Sequence, residues 1–305
     1  MKLDRRLRRV SIPLRCVPPA TASATPLPAD HARRVGRLAA RSLWHELALY
    51  PKPGLVSLRD RGAHDDMDAT AFVRSLLVLR PWFVELAEAG ARRAKFVELR
   101  SLGICAERAM LAATRGVNTH RGAIFTFGLL VATAGALAAR SLFPTDQALR
   151  STLVAQWGAD LATDWRAPNA PSHGSLMAAR YGARGARGQA LRGFPAVFEV
   201  ALPALRGAAA RGAGPRRARL AAFFALLESV EDTNVLYRGG PAGLAFVRDA
   251  ARDFARCGGA FGADAYARAL ALHHVFIDRR LSPGGCADLL GAALFVDALQ
   301  SATAG

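Results

Sequence analysis

Residues 123–139 form a run of seventeen residues without a charge near the middle of this 305-residue chain. Such a run must be shielded from water, either in the core of a helical protein or in a membrane. It is slightly short for a membrane span, contains Gly128 and Gly135, and has no equally apolar companion in the sequence. We therefore predict a buried core helix and no association with a membrane.

Four polar residues, Asn118, Thr119, His120 and Arg121, stand directly before this run. The N-terminus of a helix presents free N–H groups and a partial positive charge, which attract anions. Two interpretations stay open at this point. Either Asn118 or Thr119 simply caps the helix, or the four residues belong to a site for an anionic ligand.

The rest of the chain is typical of helices separated by glycine and proline. No segment of useful length shows the β-branched, period-two pattern of a strand. With 51% hydrophobic and 8% aromatic residues, the composition suits a helical globular protein. We predict the all-α class, with a single multi-helix globular domain of about ten helices over residues 30–305. The predicted helical segments are residues 30–49, 68–89, 96–114, 118–140, 145–163, 173–181, 189–210, 215–230, 241–256, 262–279 and 283–300.

Residues 1–29 differ from this domain, because they are rich in Arg and then in Pro, Ala, Thr and Ser. Such a composition cannot bury enough apolar surface to offset the loss of conformational entropy on folding, so we predict a flexible leader. The basic N-terminus lacks the continuous apolar segment of a secretory signal. Cys16, Cys105, Cys257 and Cys286 lack the spacing of a disulfide framework or a zinc site. Both points favour a cytoplasmic protein.

The formal net charge is +17, from 41 Lys and Arg against 24 Asp and Glu. A field of this sign attracts polyanions such as nucleic acids, nucleotides or anionic lipid. The basic residues are interleaved with acids and glycines at the ends of predicted helices, and no nucleic-acid-binding fold is recognisable. We expect no nucleic-acid partner, and keep a basic nucleic-acid-binding module as an alternative.

The first polar cluster precedes the second predicted helix, where His64 is followed by Asp65, Asp66 and Asp68. Carboxylate oxygens are the ligands that Mg²⁺ prefers, and substrate phosphates commonly complete its coordination. The alternative is a solvated acidic turn in which Asp68 caps the next helix.

A second group could share a cleft with the residues before the core helix. Glu107 lies on the preceding predicted helix and could face the same space as His120 and Arg121. A histidine here could act as a general base, and an arginine as a phosphate clamp. Simple surface positions for the three side chains are the alternative.

Three glycine-containing segments follow later in the chain. The Gly/Arg loop at residues 181–188 offers N–H and guanidinium groups to phosphate oxygens, but lacks the ending of a Walker A motif. The turn at residues 231–240 carries Asp232, which suits a metal ligand or a base. The entry to the last helix, residues 278–288, is a further candidate anion site. Each segment is also consistent with an ordinary interhelical connection.

Taken in order, these motifs resemble the triphosphoribosyl-dephospho-CoA synthase family, enzymes that make the prosthetic-group precursor of citrate lyase and malonate decarboxylase. The resemblance covers the chain from about residue 35 to the C-terminus. It rests on Glu46 with residues 50–56, on residues 62–68, 116–125 and 193–195, on residues 232–234 with 238–240, and on residues 281–285 with 287–290.

The resemblance implies transfer of the 5-triphosphoribosyl group of ATP to the 2′-hydroxyl of 3′-dephospho-CoA, with release of adenine. The downstream partner would be the carrier-protein system of malonate decarboxylase or citrate lyase. The length of the chain and its Arg-Gly-Ala-Arg loop favour the malonate decarboxylase branch. Two positions depart from the family pattern: Arg121 stands where a lysine is usual, and Gln189 stands where we expect a glutamate.

For this reaction, His64 and His120 are alternative general bases, and Asp66 is a further catalytic candidate. The sequence does not decide between the two histidines. Contacts to the substrates are expected from Lys52, Asn118, Thr119, Arg121, Arg184, Arg187, Asn234, Arg238 and Ser282.

Mg²⁺ is the expected cofactor, because the reaction handles a triphosphate. An all-α, Mg²⁺-dependent hydrolase of a nucleotide or ADP-ribosyl N-glycosidic bond is the second alternative function, since it would use similar acids around the ribose. The expected metal ligands are Asp65, Asp66, Asp68, Glu107 and Asp232.

Overall fold

The computed structural model describes residues 29–163 and 173–303, which form one globular body of twelve α-helices without a strand in these ranges. The all-α prediction is confirmed. The leader predicted at residues 1–29 lies outside the described residues except for Ala29 and stays a prediction. The helices are α1 (Ala29–Leu47), α2 (Ala69–Ala91), α3 (Phe96–Ala113), α4 (Arg121–Ala138), α5 (Asp146–Thr163), α6 (His173–Tyr181), α7 (Gly185–Leu191), α8 (Leu202–Ala210), α9 (Pro215–Ser229), α10 (Thr233–Arg256), α11 (Ala265–Asp278) and α12 (Gly284–Thr303).

The central helix is α4, the uncharged run of the sequence. It packs against α1, α2, α3, α5 and α12, and 78% of it is buried. The prediction of a buried core helix is confirmed. Helix α12 is also long and apolar enough to span a membrane, but its mean hydropathy of 1.2 is below the 1.5 of α4, and 61% of its most apolar window is buried in the protein.

Helices α2 and α4 approach each other until their backbones touch. A Cβ atom added at Gly90 would lie 1.8 Å from the carbonyl oxygen of Ala132, and one added at Gly135 would lie 1.9 Å from that of Ala87. Glycine is therefore required on both helices, since any side chain would force them apart.

The predicted helix over residues 189–210 is interrupted in the structure. Helix α7 ends at Leu191, after which Gly193 and Phe194 take positive φ angles of 67° and 54°. Because a right-handed helix does not continue through such residues, the chain restarts in a π-helical segment, Ala196–Ala201, that leads into α8. The amide of Gln189 assists this restart, since its oxygen accepts the N–H of Ala196 at 3.0 Å.

Helix α10 begins at Thr233, earlier than the predicted start at residue 241. The two glycines before residue 241 resemble a helix break in the sequence. In the structure, Gly240 takes a non-helical conformation, with φ of 61° and ψ of −165°, and divides α10 into two helical parts. The second part starts at Pro241 as predicted, and the short part from Thr233 was missed.

The loop between α1 and α2 is anchored to α11 and to the entry of α12. The buried His273 ring of α11 meets Asp60 through Nε2 at 3.0 Å, and its Nδ1 lies 3.2 Å from the Gly54 nitrogen. A Cβ atom at Gly54 would lie 2.0 Å from the carbonyl oxygen of Leu281. These contacts hold the loop that carries Lys52 and His64 next to the start of α12.

We expect Gly135→Ala to lower the free energy of unfolding by about 2 kcal/mol or more, because the methyl group has no space between α2 and α4. Urea denaturation measures this change. Gly103→Ala in α3 is the matched control, since nothing lies within 4 Å of its added Cβ. The control should be neutral or stabilising by up to about 1 kcal/mol; equal effects of the two variants would contradict the close packing.

Candidate active site

The N-termini of α4, α10 and α12 meet at one place in the molecule. Asp232 caps α10, where its Oδ1 accepts the N–H groups of Asn234 at 2.9 Å and Val235 at 3.3 Å. Its Oδ2 accepts the N–H of Cys286 in the first turn of α12 at 2.8 Å. One carboxylate therefore holds two helix N-termini side by side.

The third N-terminus belongs to α4, and it touches α12 at Gly122. A Cβ atom at residue 122 would lie 2.1 Å from Oδ2 of Asp288. Three helix ends with a partial positive charge thus face a common region, which favours the binding of an anion such as a phosphate.

Ionisable side chains are clustered beneath these helix ends. Glu46 of α1 and Lys52 of the following loop are buried, and the Lys52 ammonium donates to the carbonyl oxygen of Glu46 at 3.0 Å and to its carboxylate. Burial raises the pKa of Glu46, against the opposing charge of Lys52. Burial also raises the pKa of Asp232, against the N–H groups that it accepts.

His120, the N-cap residue of α4, is only 3% exposed. Its Nδ1 lies 2.7 Å from the hydroxyl of Ser75, and Phe72 packs edge-on against the ring. Its Nε2 is buried without a hydrogen-bond partner among the described residues. Burial, and then the charge of Lys52, lower the pKa of His120 to about 3, so the ring is neutral near pH 7 with one nitrogen free for a ligand.

His64 has both of its ring nitrogens engaged. Arg238 lies 3.1 Å from Nδ1, and Ser282 lies 2.7 Å from Nε2. Because a guanidinium only donates, Nδ1 accepts from Arg238, and Nε2–H must donate to Ser282. Burial and then Arg238 lower the pKa of His64, although the nearby Asp66 opposes this shift. A neutral His64 therefore orients the Ser282 hydroxyl and has no lone pair left to act as a base.

Arg238 also ties the acidic loop to the entry of α12. Its Nη1 donates to the carbonyl oxygens of Ala63 at 3.0 Å and Arg280 at 3.3 Å. Since Arg238 is on α10, this one side chain connects three of the segments singled out in the sequence.

The predicted metal ligands do not form a single site. Among residues 29–163 and 173–303, no group of three or more His, Cys, Asp or Glu side chains is placed to hold a metal ion. Asp68 caps α2 by accepting the N–H of Ala71, and Glu107 accepts from Arg121 at 2.6 Å. Asp232 is occupied by the two helix N-termini. Asp65 and Asp66 are mostly exposed, with 89% and 63% of their side chains accessible; Asp65 lies 3.4 Å from Arg280, and Asp66 lies 3.6 Å from the His64 ring.

The predicted phosphate-binding residues differ in their exposure. Lys52 is 1% exposed and paired with Glu46, so it lies under the site instead of at its surface. Arg121 is half-exposed at the start of α4. Arg184 is exposed in the Gly/Arg loop, and Arg187 donates to the carbonyl oxygen of Leu161 at 2.8 Å.

The remaining predicted residues lie near the three helix ends. Asn118 accepts the N–H of Arg121 at 3.0 Å, so it does help to cap α4. The hydroxyl of Thr119 is buried without a partner in the described part of the chain. Asn234 packs against Gly284, where an added Cβ would lie 2.8 Å from its amide nitrogen.

Asp288 and Glu46 were not assigned a role from the sequence, although both lie in motifs that carry the resemblance. Glu46 follows His45 on the arginine-rich α1, whereas Asp288 stands as an acid on an otherwise apolar stretch of α12. That isolation is the signal by which a buried functional carboxyl can be recognised.

Two surface concavities lie away from these residues. One is lined by Asp249, Arg252 and neighbouring side chains, and the other by Arg140, Gln156 and their neighbours. Neither contains a predicted site residue, so the helix ends and not these concavities mark the candidate site.

The comparison with known families decides the identity. A family model described as CitG, ATP:dephospho-CoA triphosphoribosyl transferase, matches residues 32–304. The chain belongs to this family. The resemblance noted in the motifs is thereby confirmed, and neither the hydrolase nor the nucleic-acid-binding alternative is supported.

Several relatives of this transferase family cover nearly the whole chain. Two proteins from strains of Pseudomonas fluorescens, each described as a probable 2-(5″-triphosphoribosyl)-3′-dephosphocoenzyme-A synthase, are 41% and 42% identical. The alignments cover 90% and 88% of this chain and 94% and 92% of the relatives. A protein of the same description from Acinetobacter calcoaceticus is 37% identical over 88% of this chain and 91% of its own length. No solved structure matches.

We expect Asp232→Ala to lower the free energy of unfolding by about 2–3 kcal/mol, because three N–H groups on two helices lose their acceptor. Asp68→Ala is the comparison variant, since Asp68 caps a single helix with one hydrogen bond. It should cost about 1 kcal/mol. Urea denaturation of both variants checks this, and equal losses would contradict the double-capping role.

Proposed function

We propose that the three converging helix N-termini bind the triphosphoribosyl part of ATP, and that the protein transfers this group to the 2′-hydroxyl of 3′-dephospho-CoA with release of adenine. The family assignment supports the reaction. The observation that supports this location is the free Nε2 of His120, a buried polar atom without a partner among the described residues at the mouth of α4.

The reaction replaces the C1′–N bond to adenine by a C1′–O bond to the acceptor. A positive charge develops on the ribose as the base departs, and the attacking hydroxyl must lose its proton. The site must therefore hold a highly charged triphosphate while it supplies a base close to the acceptor hydroxyl.

His120 is the proposed general base. When its Nδ1–H donates to Ser75, Nε2 carries the lone pair that accepts the hydroxyl proton. Its pKa of about 3 reflects the protein without substrate. The negative charge of a bound triphosphate raises the pKa of a nearby histidine, so the base strengthens once ATP is in place.

The phosphates are proposed to meet Arg121, Arg184 and the N–H groups at the helix ends. Gly185 packs against Thr233, with 3.2 Å between an added Cβ and the methyl carbon, which brings the Gly/Arg loop to the start of α10. Ser282 has a hydroxyl proton to offer, because its oxygen already accepts from His64. Arg187, Asn234 and Arg238 hold these segments in position.

Mg²⁺ remains part of the proposal. Asp65 and Asp66 fit the ion, because they are adjacent, exposed carboxylates beside the helix ends, and magnesium commonly binds through one or two carboxylates together with substrate phosphates. When bound, the ion would neutralise part of the triphosphate charge.

The product is proposed to enter the carrier-protein system of malonate decarboxylase or citrate lyase in the cytoplasm, with the malonate decarboxylase branch favoured. The family assignment applies to both branches. The loop sequence Arg-Gly-Ala-Arg supports the preference.

We expect His120→Asn to reduce kcat about 100-fold or more, because asparagine can still reach Ser75 but has no atom in place of Nε2. The measurement is mass spectrometry of ATP, 3′-dephospho-CoA and Mg²⁺ incubated with the protein, following adenine and the heavier CoA product. His274→Asn is the control, since His274 is exposed on α11.

An unchanged rate for His120→Asn would remove His120 from the reaction. Adenine release by the wild-type protein without 3′-dephospho-CoA, at the same rate as with it, would contradict the transferase and indicate a hydrolase.

A further inference from the structure

The site holds more acids than its single buried cation can neutralise. Glu46, Asp232 and Asp288 face one another there, and Lys52 is the only cation that acts on Asp288 among the described residues. Carboxylates in such surroundings do not all stay ionised, because the charged forms lose hydration and repel one another. At least one of the three must hold a proton more tightly than usual.

The hydrogen bonds show which of the three carboxyl groups has the fewest partners to stabilise its negative charge. Glu46 is paired with Lys52, and Asp232 accepts three backbone N–H groups. For Asp288, no hydrogen bond or ion pair is found within residues 29–163 and 173–303. Since bonds from N–H groups and cations stabilise the ionised form, Asp288 is the acid that keeps its proton.

The pKa of Asp288 agrees with this ranking. Loss of hydration raises it well above its usual range, and the charges of Glu46 and Asp232 raise it further, while Lys52 opposes them. Cys286, on the same helix, is held as a neutral thiol by its own burial and by the charge of Asp232.

Asp288 is also placed where a substrate can reach it. Its residue surface is partly exposed, unlike that of Asp232. Its Oδ2 lies against Gly122, in the turn of α4 that begins with His120. The free Nε2 of His120 and the uncompensated carboxyl of Asp288 thus flank the start of the same helix.

We propose that Asp288 is the general acid that protonates adenine as it leaves ATP. This inference rests on the proposed function. The C1′–N bond breaks with its electron pair going to adenine, and the Asp288 carboxyl gives its proton to a ring nitrogen of the base. The acceptor oxygen bonds to C1′ and passes its proton to Nε2 of His120, from which Asp288 is reprotonated after the products leave.

The neutral state of Asp288 serves binding as well as catalysis. An ionised carboxylate at the helix ends would repel the triphosphate, whereas a carboxylic acid does not. The same proton that permits the polyanion to bind is then available to the leaving group.

The test compares Asp288→Asn with the wild-type protein, using ATP and N7-methyl-ATP as donors. Asparagine keeps the shape of the side chain but cannot donate an acidic proton. With ATP, we expect kcat to fall about 100-fold or more while KM for ATP changes only a few-fold. With N7-methyl-ATP, whose base leaves without protonation, the variant should regain most of the wild-type rate, whereas His120→Asn should not.

The pH profile gives a second readout. Because the protonated acid is the active form, wild-type kcat should decrease as the pH rises through the pKa of Asp288. This alkaline decrease should be absent in Asp288→Asn. Asp253→Asn, at an exposed position near the C-terminus of α10, is the matched control and should keep the wild-type rate and profile.

Gly122→Ala tests the placement without removing the carboxyl. The added methyl would lie 2.1 Å from Oδ2 of Asp288 and must displace it, so kcat with ATP should also fall, with recovery on N7-methyl-ATP. A wild-type rate in Asp288→Asn, or an equal loss with both donors, would overturn the role of Asp288. Absence of any product from the wild-type protein would instead reject the proposed function itself.

Discussion

The carboxylate of Asp232 holds the candidate site together, because it caps α10 and α12 at once. Without that shared acceptor, the two N-termini would each need a separate cap, and the two helices would be held together only by packing, mainly against α9. Asp288 and Ser282 keep their positions because α12 is fixed in this way. The start of α4 then completes the arrangement through the glycine that leaves space for Asp288.

Burial shifts the pKa values of His120 and Asp288 and so sets the protonation states that we propose for the reaction. His120 is neutral because it lies out of water and near Lys52, and Asp288 holds its proton because it lacks a partner among two other acids. A buried base and a protonated acid at the same helix end are what a displacement at the ribose requires.

The sequence predicts the fold class and the core helix well, because both depend on local patterns: the helical period, the glycine and proline breaks, and the uncharged run at residues 123–139. The ordered motifs identify the family for the same reason. Such local patterns do not show whether an individual polar side chain is exposed or buried. Lys52 looks like a phosphate ligand in the sequence, yet it is buried against Glu46.

The roles of the polar residues also depend on contacts between residues that are distant in the sequence. From its sequence context, Asp232 is consistent with a metal ligand. In the structure it accepts the N–H of Cys286, which lies far along the chain and could not be foreseen from the turn itself. His64 and His120 look equivalent until Arg238 is seen to occupy the lone pair of the first. Asp288 can be recognised as an acid–base group only from its surroundings in the structure, where no hydrogen bond or ion pair among the described residues stabilises its charged form.

The most direct test of the central claim is a ¹⁵N NMR spectrum of the histidine rings, recorded with and without a non-hydrolysable ATP analogue and assigned with His120→Asn. If the nucleotide binds at the three helix ends, the Nε2 resonance of His120 must shift on binding, while those of His31 and His274 stay in place. Saturable binding of the analogue that leaves the His120 resonance unchanged would contradict the account.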